Sequence, residues 1–179
     1  EEINYHVVFD ASFTWEWMHS TENFYKKNHD IGTLYQVLEK YNSSFPEDAY
    51  RMYFTSNHDE NSWNGTGYEK YGSMLKPLAV FSCTWNGIPM IYSGEELPNL
   101  KRLHFFDKDT IEWTDKCELH DFYKTLLTLR KTNPALRAAD NSVATFHILT
   151  GASKNVMAYL RKHEEDEILV LLNLSNDET

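Results

Sequence analysis

Tyr50 to Asn61 read YRMYFTSNHDEN. Tyr50, Met52 and Phe54 alternate with Arg51, Tyr53 and Thr55, and this period of two predicts a strand over residues 50–55 packed mainly on one side. Asn57, His58, Asp59 and Glu60 follow with no apolar residue between them. A strand that stops there carries an amide, an imidazole and a carboxylate to the rim of its sheet. In α/β sheets, chemistry sits at the carboxyl-terminal rim.

Upstream, the apolar run Tyr5–Phe9 ends at Asp10. It reads as a buried strand with a carboxylate at its tip, while Asp10 as the N-cap of a helix beginning near Phe13 fits equally well. A helix is expected over residues 13–27. Asp30 then caps another, because Ile31, Leu34, Tyr35, Leu38 and Tyr41 fall at helical spacing. Asn42-Ser43-Ser44 and Pro46 stop it. Downstream, residues 64–67 form a loop and residues 68–85 a helix that Pro77 kinks or interrupts. Asn86-Gly87 ends that helix. Ile88–Tyr92 is a further strand with its own polar tip, Ser93, Gly94, Glu95 and Glu96. A long charged and aromatic connection over residues 97–116 precedes a helix over residues 118–131, which Asn133-Pro134 ends. The period then turns from helical to alternating. Three antiparallel strands are expected at 143–150, 156–161 and 168–174, with turns at Gly151–Asn155 and Glu164–Glu167.

Strand, polar tip and helix thus recur three times, which is the pattern of parallel βα units. Three units are too few to close an eight-stranded barrel. They form either a small open sheet or the last part of a barrel. The 179 residues are 41% apolar, enough for a folded core, and the formal net charge of -10 argues against nucleic acid or an anionic membrane as partner. No apolar run is long enough to span a bilayer. Cys83 and Cys117 belong to no metal-ligand or CxxC spacing. His58, Asp59 and Glu60 make a poor metal site, because consecutive residues do not converge easily on one ion and no i, i+4 histidine pair lies nearby. No cofactor is expected. The openings at both ends, Glu1-Glu2-Ile3 and Leu174 to Thr179, read as cuts inside a longer protein.

Four segments together carry a resemblance. Phe9-Asp10 with Trp15, the stretch Phe54 to Asp59, the strand Gly87-Ile88-Pro89-Met90-Ile91-Tyr92-Ser93-Gly94-Glu95-Glu96, and Leu129-Arg130-Lys131 with Asn133-Pro134-Ala135-Leu136 stand in the order seen in the α-amylase family of glycoside hydrolases. The resemblance covers nearly the whole chain. It implies an α/β fold: the last three βα units of a (β/α)8 TIM barrel over residues 1–138, then part of an antiparallel β-sandwich domain over residues 139–179. Tyr5–Phe9, Tyr50–Thr55 and Ile88–Tyr92 would be barrel strands six, seven and eight.

The family cleaves α-glucosidic bonds with retention, through a carboxylate nucleophile and a carboxylic acid about 5–5.5 Å apart. By the match, Asp59 and His58 would hold the reacting sugar, with Asn57 orienting them. A vicinal diol presents two donors that one carboxylate accepts together, and ionised acceptors make the stronger bonds. Asp10 and Glu96 are expected to line the same mouth and Trp63 to touch substrate. The nucleophile and acid/base would lie upstream of residue 1, since Glu1 and Glu2 do not fit as the acid. The chain alone is then expected to be inactive on its α-glucan or maltooligosaccharide substrate, and to self-associate through exposed sheet edges. Glu95 stands where the family often has Gln, and its charge beside Glu96 would raise one of the two pKa values if the two face each other. A different expectation is a non-catalytic glucan-binding module, with Trp63, Tyr68, Phe105, Phe106 and Trp113 stacking on sugar rings.

Overall fold

The computed structural model describes residues 3–27, 30–150 and 154–175. Three short strands, β1 (Ala11–Phe13), β2 (Tyr50–Tyr53) and β3 (Ile88–Pro89), form a parallel sheet in the order β1-β2-β3. Ala11 pairs with Tyr50, and Met52 with Ile88. Helices α1 (Trp15–Lys27) and α2 (Gly32–Ser44) connect β1 to β2. The β2–β3 connection holds α3 (His58–Trp63), α4 (Gly67–Tyr71) and α5 (Leu75–Thr84). After β3 the chain runs without helix or strand to α6 (His120–Thr132). An antiparallel sheet follows: β4 (Ala144–His147), β5 (Val156–His163) and β6 (Asp166–Asn173), in that order.

Several expectations need correction. Residues Ile3–Val7 form a 3-10 turn, and the strand begins only at Ala11. The run looked like a buried strand because it is apolar, yet Val7 and Val8 are 88% and 75% exposed. Pairing with β2 begins beside Tyr50, whose N–H donates to the Asp10 carbonyl, so Asp10 enters β1 instead of ending a strand. It caps no helix either, since α1 starts after Thr14. On β2, the more buried face carries Arg51 and Tyr53, while Tyr50 is exposed and Met52 half-buried.

The helix expected over residues 68–85 is two helices. The break lies at Gly72, not at Pro77: Gly72 has φ +50°, and a Cβ there would sit 2.1 Å from the Tyr25 hydroxyl. Pro77 occupies the first turn of α5, where an unbonded N–H is the rule and proline costs little. The strand expected over residues 88–92 is shorter because only Ile88 and Pro89 pair with β2, although the Met90 N–H still donates to the Tyr53 carbonyl. At its start, Gly87 is forced by close approach: a Cβ would lie 2.5 Å from the Arg51 carbonyl oxygen.

The helices bury one aromatic column. Trp17, Phe81 and Trp85 stack with centroids 4.3 and 5.1 Å apart, and Tyr53 meets Phe81 edge-on. The antiparallel sheet enters the same core through Met157, Tyr159 and Leu172, and the Tyr159 and Thr84 hydroxyls lie 2.6 Å apart. The buried Arg161 guanidinium donates to the carbonyls of Ala135 and Arg137, fastening β5 to the segment after α6. Arg130 does the same for β3, donating to the carbonyls of Cys83 and Gly87. The β5–β6 turn is tight, since His163 pairs with Asp166 and Glu164 takes φ +51°. Of the other expected turn, Gly151, Ala152 and Ser153 lie outside the described residues, as do Glu1, Glu2 and residues 176–179.

Candidate active site

After Tyr53 the chain stays buried through Phe54, Thr55, Ser56 and Asn57, then surfaces at His58. Asn57 is the N-cap of α3: its Oδ1 accepts the Glu60 N–H at 2.8 Å. Such a cap contributes about 1 kcal/mol and fixes the entry of the helix. It therefore fixes His58 and Asp59, the first two helical residues, at the carboxyl end of β2. His58 Nε2 lies 3.6 Å from Asp59 Oδ1, and their side chains are 67% and 42% exposed. The imidazole and the carboxylate are thus adjacent and open to solvent.

Glu60 points the other way. It is buried and ion-paired with Lys70, whose side chain is fully buried. Lys70 also lies 3.2 Å from Met18 Sδ and 4.0 Å from a Glu22 carboxylate oxygen, while Asn64 Nδ2 donates to Glu60 at 2.9 Å. This knot ties α3 to α4 and α1 beneath the rim. Nothing in the local pattern around Lys70 foretells it. By contrast, Thr66 and Glu69 form a capping box at the start of α4, a Thr-x-x-Glu signal legible in the sequence where a loop was expected.

Trp63, at the end of α3, joins the same surface. The Phe105 ring stacks on His58 at 6.0 Å between centroids and lies 5.3 Å from Trp63, and Phe106 touches both Phe105 and Trp63. Of the residues singled out in the sequence, then, Asn57, His58, Asp59, Trp63, Phe105 and Phe106 come together. Asp10 does not, because it sits at the amino-terminal end of β1, opposite the rim where β2 delivers His58. Glu96 lies beyond β3 and lines a cavity of about 590 Å³ with Tyr92, Trp113, His120 and Tyr123.

Glu95 faces differently from Glu96. Its carboxylate accepts from the Thr55 hydroxyl at 2.8 Å and the Tyr92 N–H at 3.2 Å, bridging the tips of β2 and β3. It borders a chamber of about 20 Å³ with Ser56, Asn61, Asn99 and Tyr123. Burial pushes the Glu95 carboxyl up to about 7, against the two hydrogen bonds, and the charge of Glu96 adds the smallest contribution in that direction. Elsewhere on the rim, Arg102 makes two hydrogen bonds to Glu69 at 2.9 and 3.0 Å and holds that carboxyl down at about 2.

The alpha-amylase catalytic-domain family matches this chain over residues 2–112. Alpha-amylase 2 of Dictyoglomus thermophilum is 30% identical over 140 residues, covering 72% of this chain and 23% of that protein. Alpha-amylase MalA of Haloarcula japonica is 32% identical over 137 residues, 75% of this chain and 20% of that one. The chain spans about a fifth to a quarter of the length of these curated relatives. Among solved structures, a maltogenic alpha-amylase, AmyB of Thermotoga neapolitana, superposes with a TM-score of 0.84 at 18% identity, over 97% of this chain and 40% of that one. An alpha-amylase from Lactobacillus plantarum gives 0.82 at 18% identity, over 100% and 40%. These structural neighbours imply a TIM barrel with a β domain, and the chain has α/β content in two sheets, one parallel and one antiparallel. On the family match over residues 2–112 and the two curated relatives, the chain belongs to the alpha-amylase family of glycoside hydrolases.

Proposed function

We propose that the chain is the carboxyl-terminal portion of a retaining glycoside hydrolase that cleaves α-glucosidic bonds of starch-like glucans or maltooligosaccharides. Residues 1–138 would supply its last three βα units and residues 139–179 the start of its β-sandwich domain. One observation carries the proposal: an Asn57-capped turn holds His58 and Asp59 side by side and open at the end of β2. Asp59 accepts two sugar hydroxyls and the imidazole a third contact, in bonds that strengthen as the ring distorts toward its oxocarbenium-like state. Asn57 orients the pair. Trp63 supplies a ring face beside it, and Glu96 borders the neighbouring cavity. Asp10 is left out of the site. The nucleophile and the acid/base stand upstream in the longer protein.

The 179-residue chain is then expected to bind maltoheptaose without releasing reducing ends, and Asp59→Asn to weaken that binding about tenfold or more, as loss of an ionised acceptor does. Calorimetric titration beside a reducing-end assay checks both. Turnover by the chain alone would overturn the upstream placement, and unchanged affinity in Asp59→Asn would overturn the role of the pair. Because β1 and β3 have no further strand partner among the described residues, the chain is also expected to pair with a second copy. Light scattering checks this, and a monomer with a single sharp unfolding transition would contradict it.

A further inference from the structure

Glu95 stands between two strand tips of the rim with both carboxyl oxygens engaged. Oε1 accepts the Thr55 hydroxyl and Oε2 the Tyr92 N–H. Thr55 opens the buried segment Thr55-Ser56-Asn57 that links β2 to α3. Asn57 caps α3 and so places His58 and Asp59. A hold on Thr55 is therefore a hold on the chain just before the cap. Beside this bridge lies the chamber of about 20 Å³ that Glu95, Ser56 and Asn99 help to line. Ser56 is 3% exposed, and its hydroxyl has no hydrogen-bond partner among the described residues. Asn99 Nδ2 is buried and equally unpartnered, while its Oδ1 accepts the Lys101 N–H at 3.1 Å. That bond fixes which end of the amide is left over, namely a donor. Buried polar groups without partners are costly. A polar space of this size admits one water, which needs two to four polar partners. Glu95, Ser56 and Asn99 supply them.

We infer that Glu95 is a positioning residue for the His58–Asp59 pair, acting through Thr55 and through one buried water that it shares with Ser56 and Asn99. This rests on the α-glucan reading of that pair. Charge decides the strength of the hold. Burial keeps the Glu95 carboxyl up at about 7, against the bonds from Thr55 and Tyr92. The other titratable groups around it are Glu96 and Tyr92 on the tip of β3, Tyr68 and Tyr71 of α4, Cys83 of α5 and Tyr123 of α6. None of these is a cation. Burial raises the tyrosine hydroxyls and pushes the Cys83 thiol up to about 11, so they stay neutral where Glu95 titrates. Below about 7 the neutral carboxyl has an O–H to donate into the chamber. Above it the carboxylate finds no opposite charge among these groups and gains by turning toward water, which loosens Thr55 and Ser56.

Backbone amide shifts of the isotope-labelled 179-residue chain, followed from pH 5 to 9, test the coupling. In wild type the Ser56 and Asn57 amides should move together through one transition near pH 7. In Glu95→Gln, which cannot ionise, they should stay flat. Maltoheptaose affinity, measured by calorimetry, should fall about fivefold between pH 5.5 and 8.5 in wild type, the low end for coupling between two sites. Glu95→Gln should hold its acid-side affinity across that range. A crystal structure of the chain at pH 5.5 should show one water within hydrogen-bond distance of Ser56 Oγ and Asn99 Nδ2. Amides that are flat in wild type, or that keep the transition in Glu95→Gln, overturn the positioning role. So does a fall in affinity that Glu95→Gln retains. A dry chamber overturns the water. No maltoheptaose binding at any pH overturns the α-glucan reading instead, while the amide transition still decides the coupling.

Discussion

Lys70→Met is expected to destabilise the chain by about 3–5 kcal/mol, the cost of removing one partner from a buried ion pair. Lys70 is fully buried, and its ammonium answers Glu60 directly with Glu22 at 4.0 Å. Without it, Glu60 remains in the interior as an unanswered carboxylate, still bonded to Asn64. Glu60→Gln in the Lys70→Met background should restore part of the loss at neutral pH, because the neutral amide costs less to bury. The consequence reaches the candidate site, since Glu60 follows Asp59 on α3 and Lys70 anchors that helix to α4 and α1. Urea unfolding of the single and double variants checks this. A loss below about 1 kcal/mol in Lys70→Met would show that the pair is solvated.

The second large effect concerns Glu95. Its carboxyl is raised by burial to about 7 from an ordinary 4.5. Between those values the folded chain holds a proton that the unfolded chain has released. Stability therefore falls as pH rises through the window, by on the order of 3 kcal/mol in total, and levels off above it. Glu95→Gln removes the ionisation, keeps its one oxygen to accept the Tyr92 N–H, and turns its amide N–H to the Thr55 hydroxyl, which can accept it. It should leave stability at pH 5 little changed and raise it at pH 8. Thermal melts of the two proteins across pH 4–9 check the difference. Parallel curves would mean that Glu95 ionises freely between the tips of β2 and β3.

The order of elements was legible because periodicity survives without knowledge of contacts. The α2 stripe of Leu34, Leu38 and Tyr41, the α6 stripe ending at Asn133-Pro134, and the switch to alternation before β4 all appear where their spacing put them. The misreadings have one physical cause, in that local composition does not encode what lies across from a residue. The apolar run before Asp10 resembles a strand, but register with β2 starts at Ala11, and that displaces Asp10 to the far end of the sheet. Pro77 drew attention as a breaker, while the break belongs to Gly72, where the Tyr25 hydroxyl leaves no room for a Cβ.

The site was legible in part for the same reason. Asn57, His58 and Asp59 are consecutive and terminate a strand, so chain geometry alone brings them to the rim. Phe105 joins His58 from 47 positions downstream, through ties made by Asn61 and Asp109 that no local pattern announces. Lys70 and Glu60 are also separate in sequence, and an isolated lysine in an amphipathic segment reads as solvated until its burial is known.

The central claim is that the tip of β2 grips a glucan. It is tested most directly by mapping maltoheptaose on the isotope-labelled chain through backbone and imidazole chemical shifts. The account predicts that the largest perturbations fall on His58, Asp59 and their neighbours in α3, and spread to Phe105 and Phe106. Perturbations centred on the cavity beside Glu96 or on the end of the sheet that holds Asp10, with the His58 imidazole unmoved, would contradict it.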